Sequence, residues 1–265
     1  MMRSQRTTRT HHSVVLDPQV YLPWVYVGLL GLSEVVSDLW HPLLGIWLHV
    51  ILAAAIWWQG TKEEDLDRRH FYWILAVLAI VRIISFAISD QSFPGVWYYV
   101  LAETPLLVAA LTARSAFGLS WASVGVRMPK WPALAAVVIV TGAGLGYAES
   151  RIIHPAALIS SLTWANIIIP SILLTIFTGL SEELLFRGLL QHYAVKIMGN
   201  RMGIVFVALG WSLLHIGWHS AWDVLFVFAV GLAWGWVREK TTSIIPTTIA
   251  HGLANVVLFL IVPFQ

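Results

Sequence analysis

The sequence predicts an all-α protein, a polytopic bundle of about eight or nine transmembrane helices without a separately folding soluble domain. Three observations carry this expectation. Hydrophobic residues make up 58% of the 265 positions and charged residues 11%, whereas soluble domains carry roughly 25% charged residues. Mean hydropathy is +0.76. Apolar stretches close to the roughly 20 residues needed to cross a bilayer recur from one end of the chain to the other. There is no cysteine, so disulfides, thiolate metal ligands and cysteine nucleophiles are excluded.

Residues 1–19 hold Arg3, Arg6, Arg9, His11 and His12, and no small-residue cleavage site follows a short apolar core. A retained, disordered cytoplasmic tail is expected there, followed by one membrane domain over 20–265. Within it the apolar spans fall near 20–38, 42–59, 71–89, 95–113, 132–148, 166–193, 203–219, 222–237 and 243–262. The first is interrupted by Glu34 and Asp38, and the eighth is short. The connection Gly60–His70 is the most polar, and Arg114–Trp131 is the longest interior one. Trp24, Trp57, Trp58, Trp73, Trp131 and Trp218 lie near span ends, where amphipathic rings favour the headgroup region and need no further role.

With the N-terminus cytoplasmic, the connections on that side hold Lys62, Arg68, Arg69, Arg114, Arg127, Lys130, Lys196, Arg201, Arg238 and Lys240, and the opposite side holds Arg151 alone. This asymmetry is the positive-inside pattern, and it supports both that orientation and an odd number of crossings. Short loops and the lack of cysteine are compatible with a bacterial or archaeal plasma membrane.

A charge at the bilayer centre costs about 2.5–3.5 kcal/mol on insertion scales, so each one retained there needs a partner or a task. The candidates are Arg82, Glu103, Glu182, Glu183 and Arg187, with His215 and His251 as further titratable groups. Glu183 and Arg187 are four apart on one helix face and pair directly. Glu182 is rotated roughly 100° from Glu183, which leaves it as the carboxylate available for chemistry. A structural ion pair alone would require one Glu and one Arg. Trp211 and His215 share a helix face, as do His251 and Asn255; singly, each histidine reads more readily as an interhelical hydrogen bonder. Counted from the cytoplasmic helix ends, Glu182, His215 and His251 lie roughly 12–18 Å deep at 1.5 Å per residue, near one level. Arg82 and Glu103 are expected to pair or to support this cluster, and His219 and Asp223 to sit solvated near an interface.

The order Glu182-Glu183-x-x-x-Arg187, Trp211-x-x-x-His215, His251-x-x-x-Asn255 resembles the CAAX protease and bacteriocin-processing family of intramembrane endopeptidases, also called Abi or Rce1-like proteins. The resemblance covers roughly 166–260, and its one departure is Trp211 at a position usually occupied by Phe. It implies that Glu182 and His215 activate water for attack on a peptide carbonyl, that His251 and Asn255 stabilise the oxyanion, and that Arg187 holds Glu183. Its implied partners are the lipid bilayer and a membrane-associated peptide or protein, cut near the cytoplasmic side; no nucleic acid is expected. The hydrolytic water needs an aqueous path, expected as a cavity open to the cytoplasm.

No cofactor is favoured, but zinc is the open alternative, since Glu182, His215 and His251 would suffice as three ligands with a fourth position for water. His-Glu-x-x-His is lacking, and metal-free catalysis leaves Glu182 free as base. Two other function classes compete: a non-catalytic immunity or scaffold protein of the same fold, and a proton-coupled transporter, against which no pair of broken helices in repeated halves is evident.

Overall fold

The computed structural model describes residues 18–88 and 92–265; the expected tail, with Arg3, Arg6, Arg9, His11 and His12, lies outside the described residues apart from its last two positions, which begin the first helix. Helices α1 (Pro18–Leu39), α2 (Pro42–Lys62), α3 (Leu66–Phe86), α4 (Val96–Ala116) and α5 (Pro132–Ile153) follow in order. Prolines open α2 and α5, where the missing N–H costs nothing. Asp65 caps α3 by accepting the Arg68 N–H at 2.9 Å.

The next apolar run, Trp164–Trp218, is 55 residues long, about 80 Å if straight and far beyond a hydrocarbon core of about 30 Å. It breaks at Gly199, whose φ of 77° and ψ of 162° are non-helical. A Cβ placed on Gly203 would stand 2.7 Å from the Val195 nitrogen and 2.8 Å from the Ala194 carbonyl carbon. In a straight helix those residues would be roughly 13 Å apart, so the chain doubles back. We therefore distinguish α6 (164–198) and α7 (200–213). Helix α8 spans Ala221–Thr241, and α9 spans Ile245–Val256 with a π-helical continuation over Val257–Ile261. The described residues thus form an all-α membrane bundle in which eight apolar runs make nine helices.

Contacts between connections define two ends. At one, the Lys130 N–H donates to Thr241 O (2.9 Å) and the Ile244 N–H to Gly125 O (2.9 Å), and Lys196 pairs with Asp67 (2.9 Å). This is the basic end. At the other, the Leu158 N–H donates to Phe259 O (3.2 Å), Gly95 abuts Leu158 and Gly217 faces Asp38.

Three features position the site. Cβ atoms on Gly142 or Gly146 would overlap the backbone of Ala250 and Ala254, so α5 and α9 touch backbone to backbone. A buried polar network ties α1, α2 and α3: Arg82 binds both oxygens of Glu34 (2.8 and 2.7 Å), lies 3.5 Å from Asp38 and covers Phe86 at 4.6 Å, while His49 contacts Glu34 at 3.0 Å. Of the two expectations for Arg82 and Glu103, a mutual pair is therefore replaced by pairing of Arg82 with Glu34 and Asp38, the two acids that interrupt the first span, while both residues line the cavity described below. Trp58 and Trp131 are exposed as anchors should be, whereas Trp24 packs edge-on against Phe206 of α7 at 5.2 Å.

Candidate active site

Helix α6 carries the first motif on an irregular stretch. Ser181–Glu183 is a single α turn held between two π-helical segments, Thr175–Leu180 and Leu184–Leu190. Wider π turns are frequent at functional sites. Here Thr178 and Ser181 donate hydroxyls to the Leu174 and Phe177 carbonyls, satisfying acceptors that the wider turns loosen.

Glu183 and Arg187 are fully buried and paired at 2.9 Å, as their spacing predicts. The Arg187 guanidinium lies 4.0 Å above the Trp211 ring and 5.7 Å from the Trp234 ring. His251 Nδ1 stands 3.7 Å from the same Glu183 oxygen, an ionic contact longer than a hydrogen bond. Glu182 turns the other way and accepts the Trp211 Nε1–H at 2.6 Å. Its second oxygen has no protein partner among the described residues, and the residue lines a cavity.

That cavity, about 840 Å³, is lined by Glu182, Trp211, His215, His251 and Asn255; Glu183 and Arg187 are not part of its lining. Trp211 is the hub, with the His215 and His251 rings each centred 5.7 Å from its own. The held partner of Glu182 is thus Trp211, through a donor that the usual Phe lacks. Asn255 Nδ2–H donates to Thr178 Oγ1 at 2.6 Å, which fixes the amide plane.

Two residues outside the three motifs belong here. Asp223, expected to be solvated, is fully buried in the first turn of α8, where Ser220 caps its N–H, and its Oδ2 accepts from His215 Nδ1 at 3.0 Å. Glu149 of α5 comes beside the same pair. Neither carries a motif spacing, because both reach His215 only through tertiary packing. Glu103 of α4 also lines the cavity, with Oε2 buried and unpartnered.

The cavity opens away from the basic end. Among its lining residues, those that are exposed are Pro94, Ala156, Ala157, Gly217 and Trp218, all in the α3–α4, α5–α6 and α7–α8 connections. The expected opening on the side of the basic loops is not observed. His215 explains part of the difference: it lies beyond the last turn of α7, which is only 200–213, so it stands at the opposite end rather than at mid-depth.

The donor set also bears on zinc. Among the described residues the ligand atoms that converge belong to Glu149, His215 and Asp223, all within 4.8 Å of one another; ligands of tetrahedral zinc lie about 3.4 Å apart. Asp223 Oδ1 is buried without a partner, which suits the same grouping.

No curated protein and no solved structure matches the chain. Over residues 163–257, which run from the start of α6 into α9 and hold all three motifs, the chain matches the family model described as Rce1-like, type II CAAX prenyl endopeptidase.

Proposed function

We propose that the protein is an intramembrane endopeptidase that hydrolyses a peptide bond in a membrane-associated peptide or protein. The observation that carries this reading is the convergence of Glu182, His215, His251 and Asn255 on one cavity of about 840 Å³ inside a membrane bundle. A binding partner or scaffold needs a cavity but not a carboxylate with one oxygen held by Trp211, an Asp–His pair and a fixed Asn255 amide lining it together.

In the proposed reaction, the free oxygen of Glu182 takes a proton from a cavity water as that water adds to the scissile carbonyl carbon. The carbonyl oxygen becomes an oxyanion, stabilised by donors on His251 and Asn255, a type of interaction worth roughly 3–4 kcal/mol per donor. Collapse breaks the C–N bond, and the proton returns from Glu182 to the leaving amine. Trp211 holds the other Glu182 oxygen in place. Asp223 accepts from His215 Nδ1–H and so leaves the Nε2 lone pair for the cavity, where it orients or shares the proton of the attacking water.

A metal-dependent variant has one observation in its favour, the Glu149, His215 and Asp223 grouping. Those three side chains would hold the ion, which when bound would acidify a water ligand. The same roles of Glu182, His251 and Asn255 toward the peptide would remain.

The test is cleavage of a membrane-peptide library by the purified protein in liposomes, comparing wild type with Glu182→Gln, with and without a strong chelator. Cleavage lost in the variant and resistant to the chelator supports the metal-free mechanism. Chelator-sensitive cleavage restored by zinc and weakened by Glu149→Gln supports the second. An intact, folded wild type that cuts nothing across the library overturns the enzymatic reading.

A further inference from the structure

The connection between α4 and α5, residues 117–131, takes no part in the proposed reaction, yet it is held as an ordered shelf against the end of α8. The Ile244 N–H donates to Gly125 O (2.9 Å), the Lys130 N–H to Thr241 O (2.9 Å) and the Ser243 hydroxyl to Arg127 O (2.6 Å). These bonds bring Arg127 and Lys130 beside Lys240, which directly precedes Thr241, and all three cationic residues are exposed. No acid answers them. Asp and Glu are lacking from 104 to 148 and again from 240 to 265. Glu239, next to Lys240, is held instead by the buried Gln191 (2.9 Å) and by Arg238 (3.0 Å). Among the described residues Arg127, Lys130 and Lys240 make no ion pair.

Apolar surface accompanies this charge. Trp121 (45%), Met128 (82%) and Trp131 (62%) stand exposed on the same connection. Arg114, in the last turn of α4, covers the Trp121 ring at 4.0 Å, and Lys240 lies 5.9 Å from the exposed Trp236 ring. Indole rings favour the headgroup region of a bilayer, and long cationic side chains reach from it toward phosphate. Water would solvate the three cations but not Trp131 and Met128. A zwitterionic lipid would cover the apolar groups but bring no net charge to meet the cations. A lipid with a net negative headgroup answers both.

From these observations we propose that the α4–α5 connection and the end of α8 form a binding site for an anionic phospholipid of the adjoining leaflet. Arg127, Lys130 and Lys240 hold its phosphate, and Trp121, Met128 and Trp131 lie against the start of its acyl chains. The proposal is independent of whether the protein cleaves peptides.

The test titrates the full chain in detergent micelles with phosphatidylglycerol or with phosphatidylcholine of the same acyl chains, and bound lipid is counted by native mass spectrometry. Wild type is expected to retain phosphatidylglycerol in preference. A cation near an anionic lipid surface contributes about fivefold in affinity, so the triple variant Arg127→Gln, Lys130→Gln, Lys240→Gln should bind phosphatidylglycerol on the order of 100-fold more weakly. Its binding of phosphatidylcholine should stay near that of wild type. Should the triple variant fold poorly, Lys130→Gln alone is expected to lose about fivefold. A second triple variant, Lys62→Gln, Lys196→Gln, Arg201→Gln, removes the same charge from other exposed positions and should keep the wild-type preference. Equal retention of the two lipids by wild type overturns the proposal, and so does an equal loss in both triple variants, which would reduce the effect to net charge. Displacement of phosphatidylglycerol by water-soluble glycerol phosphate would overturn the lipid as occupant in favour of a free phosphate.

Discussion

Removing one partner of the Glu183–Arg187 pair should cost far more stability than removing both. Both side chains are fully buried, Nη1 and Oε1 are 2.9 Å apart, and Arg187 Nε and Nη2 have no hydrogen-bond partner among the described residues. Arg187→Met leaves the Glu183 carboxylate facing His251 at 3.7 Å and the Thr247 hydroxyl, with no cation held against it; Glu183→Met leaves a guanidinium among Trp211 and Trp234. Stranding a buried charge in this way costs about 3–5 kcal/mol, whereas replacing a buried pair by apolar groups of similar volume is often neutral. The two single variants together should therefore lose about 6–10 kcal/mol and the double variant only a small part of it. Reversible unfolding in mixed micelles, followed by tryptophan fluorescence, reads all four corners of the cycle. Additivity within about 0.5 kcal/mol would mean that the two groups are not coupled, and the account of Arg187 as the holder of Glu183 would be wrong.

Trp211→Phe keeps an aromatic ring against Arg187 but removes the donor to Glu182; a hydrogen bond to a charged group contributes about 1.5–3 kcal/mol, so kcat should fall roughly 10- to 150-fold with little change in KM. A kcat within twofold of wild type would reduce Trp211 to packing. Asp223→Asn presents an amide N–H to His215 Nδ1 and favours the tautomer with the proton on Nε2; cleavage should drop on the order of 10²-fold or more with the melting temperature nearly unchanged. Equal losses of stability and activity would point instead to a purely structural Asp223. Gly146→Leu wedges α5 from α9 and should abolish activity by displacing His251 and Asn255, seen as a lower folded yield on gel filtration; a folded, fully active variant would show that the glycine contact does not position α9.

The sequence carried the helices well because length and hydropathy are one-dimensional properties. Glu183 and Arg187 were paired by spacing alone, and the three motifs meet in one cavity as their order implied. What lay beyond reach depends on three-dimensional packing. Glu34 and Asp38 read as flaws in the first span because their partner, Arg82, is two helices away. Asp223 read as solvated because it opens a helix, yet that helix start is tucked against His215. The π-helical segments around Ser181–Glu183 alter the turn geometry on which the 100° separation of Glu182 and Glu183 was reckoned. The opening was expected beside the basic connections because depth was counted along helices of assumed length, whereas α7 ends at 213 and the exposed lining residues lie in the connections at the other end.

The α1–α3 network also constrains how the chain is made. Glu34 must enter the membrane with α1, while its guanidinium partner is 48 residues further on. At 5–20 residues per second, roughly 2–10 s pass before Arg82 emerges. During that interval a carboxylate at a cost of about 2.5–3.5 kcal/mol disfavours the release of α1 into lipid, with His49 of α2 the first group able to meet it. The first three helices should therefore leave the insertion machinery as one unit, and a ribosome stalled before residue 82 should leave α1 still crosslinked to the insertion channel.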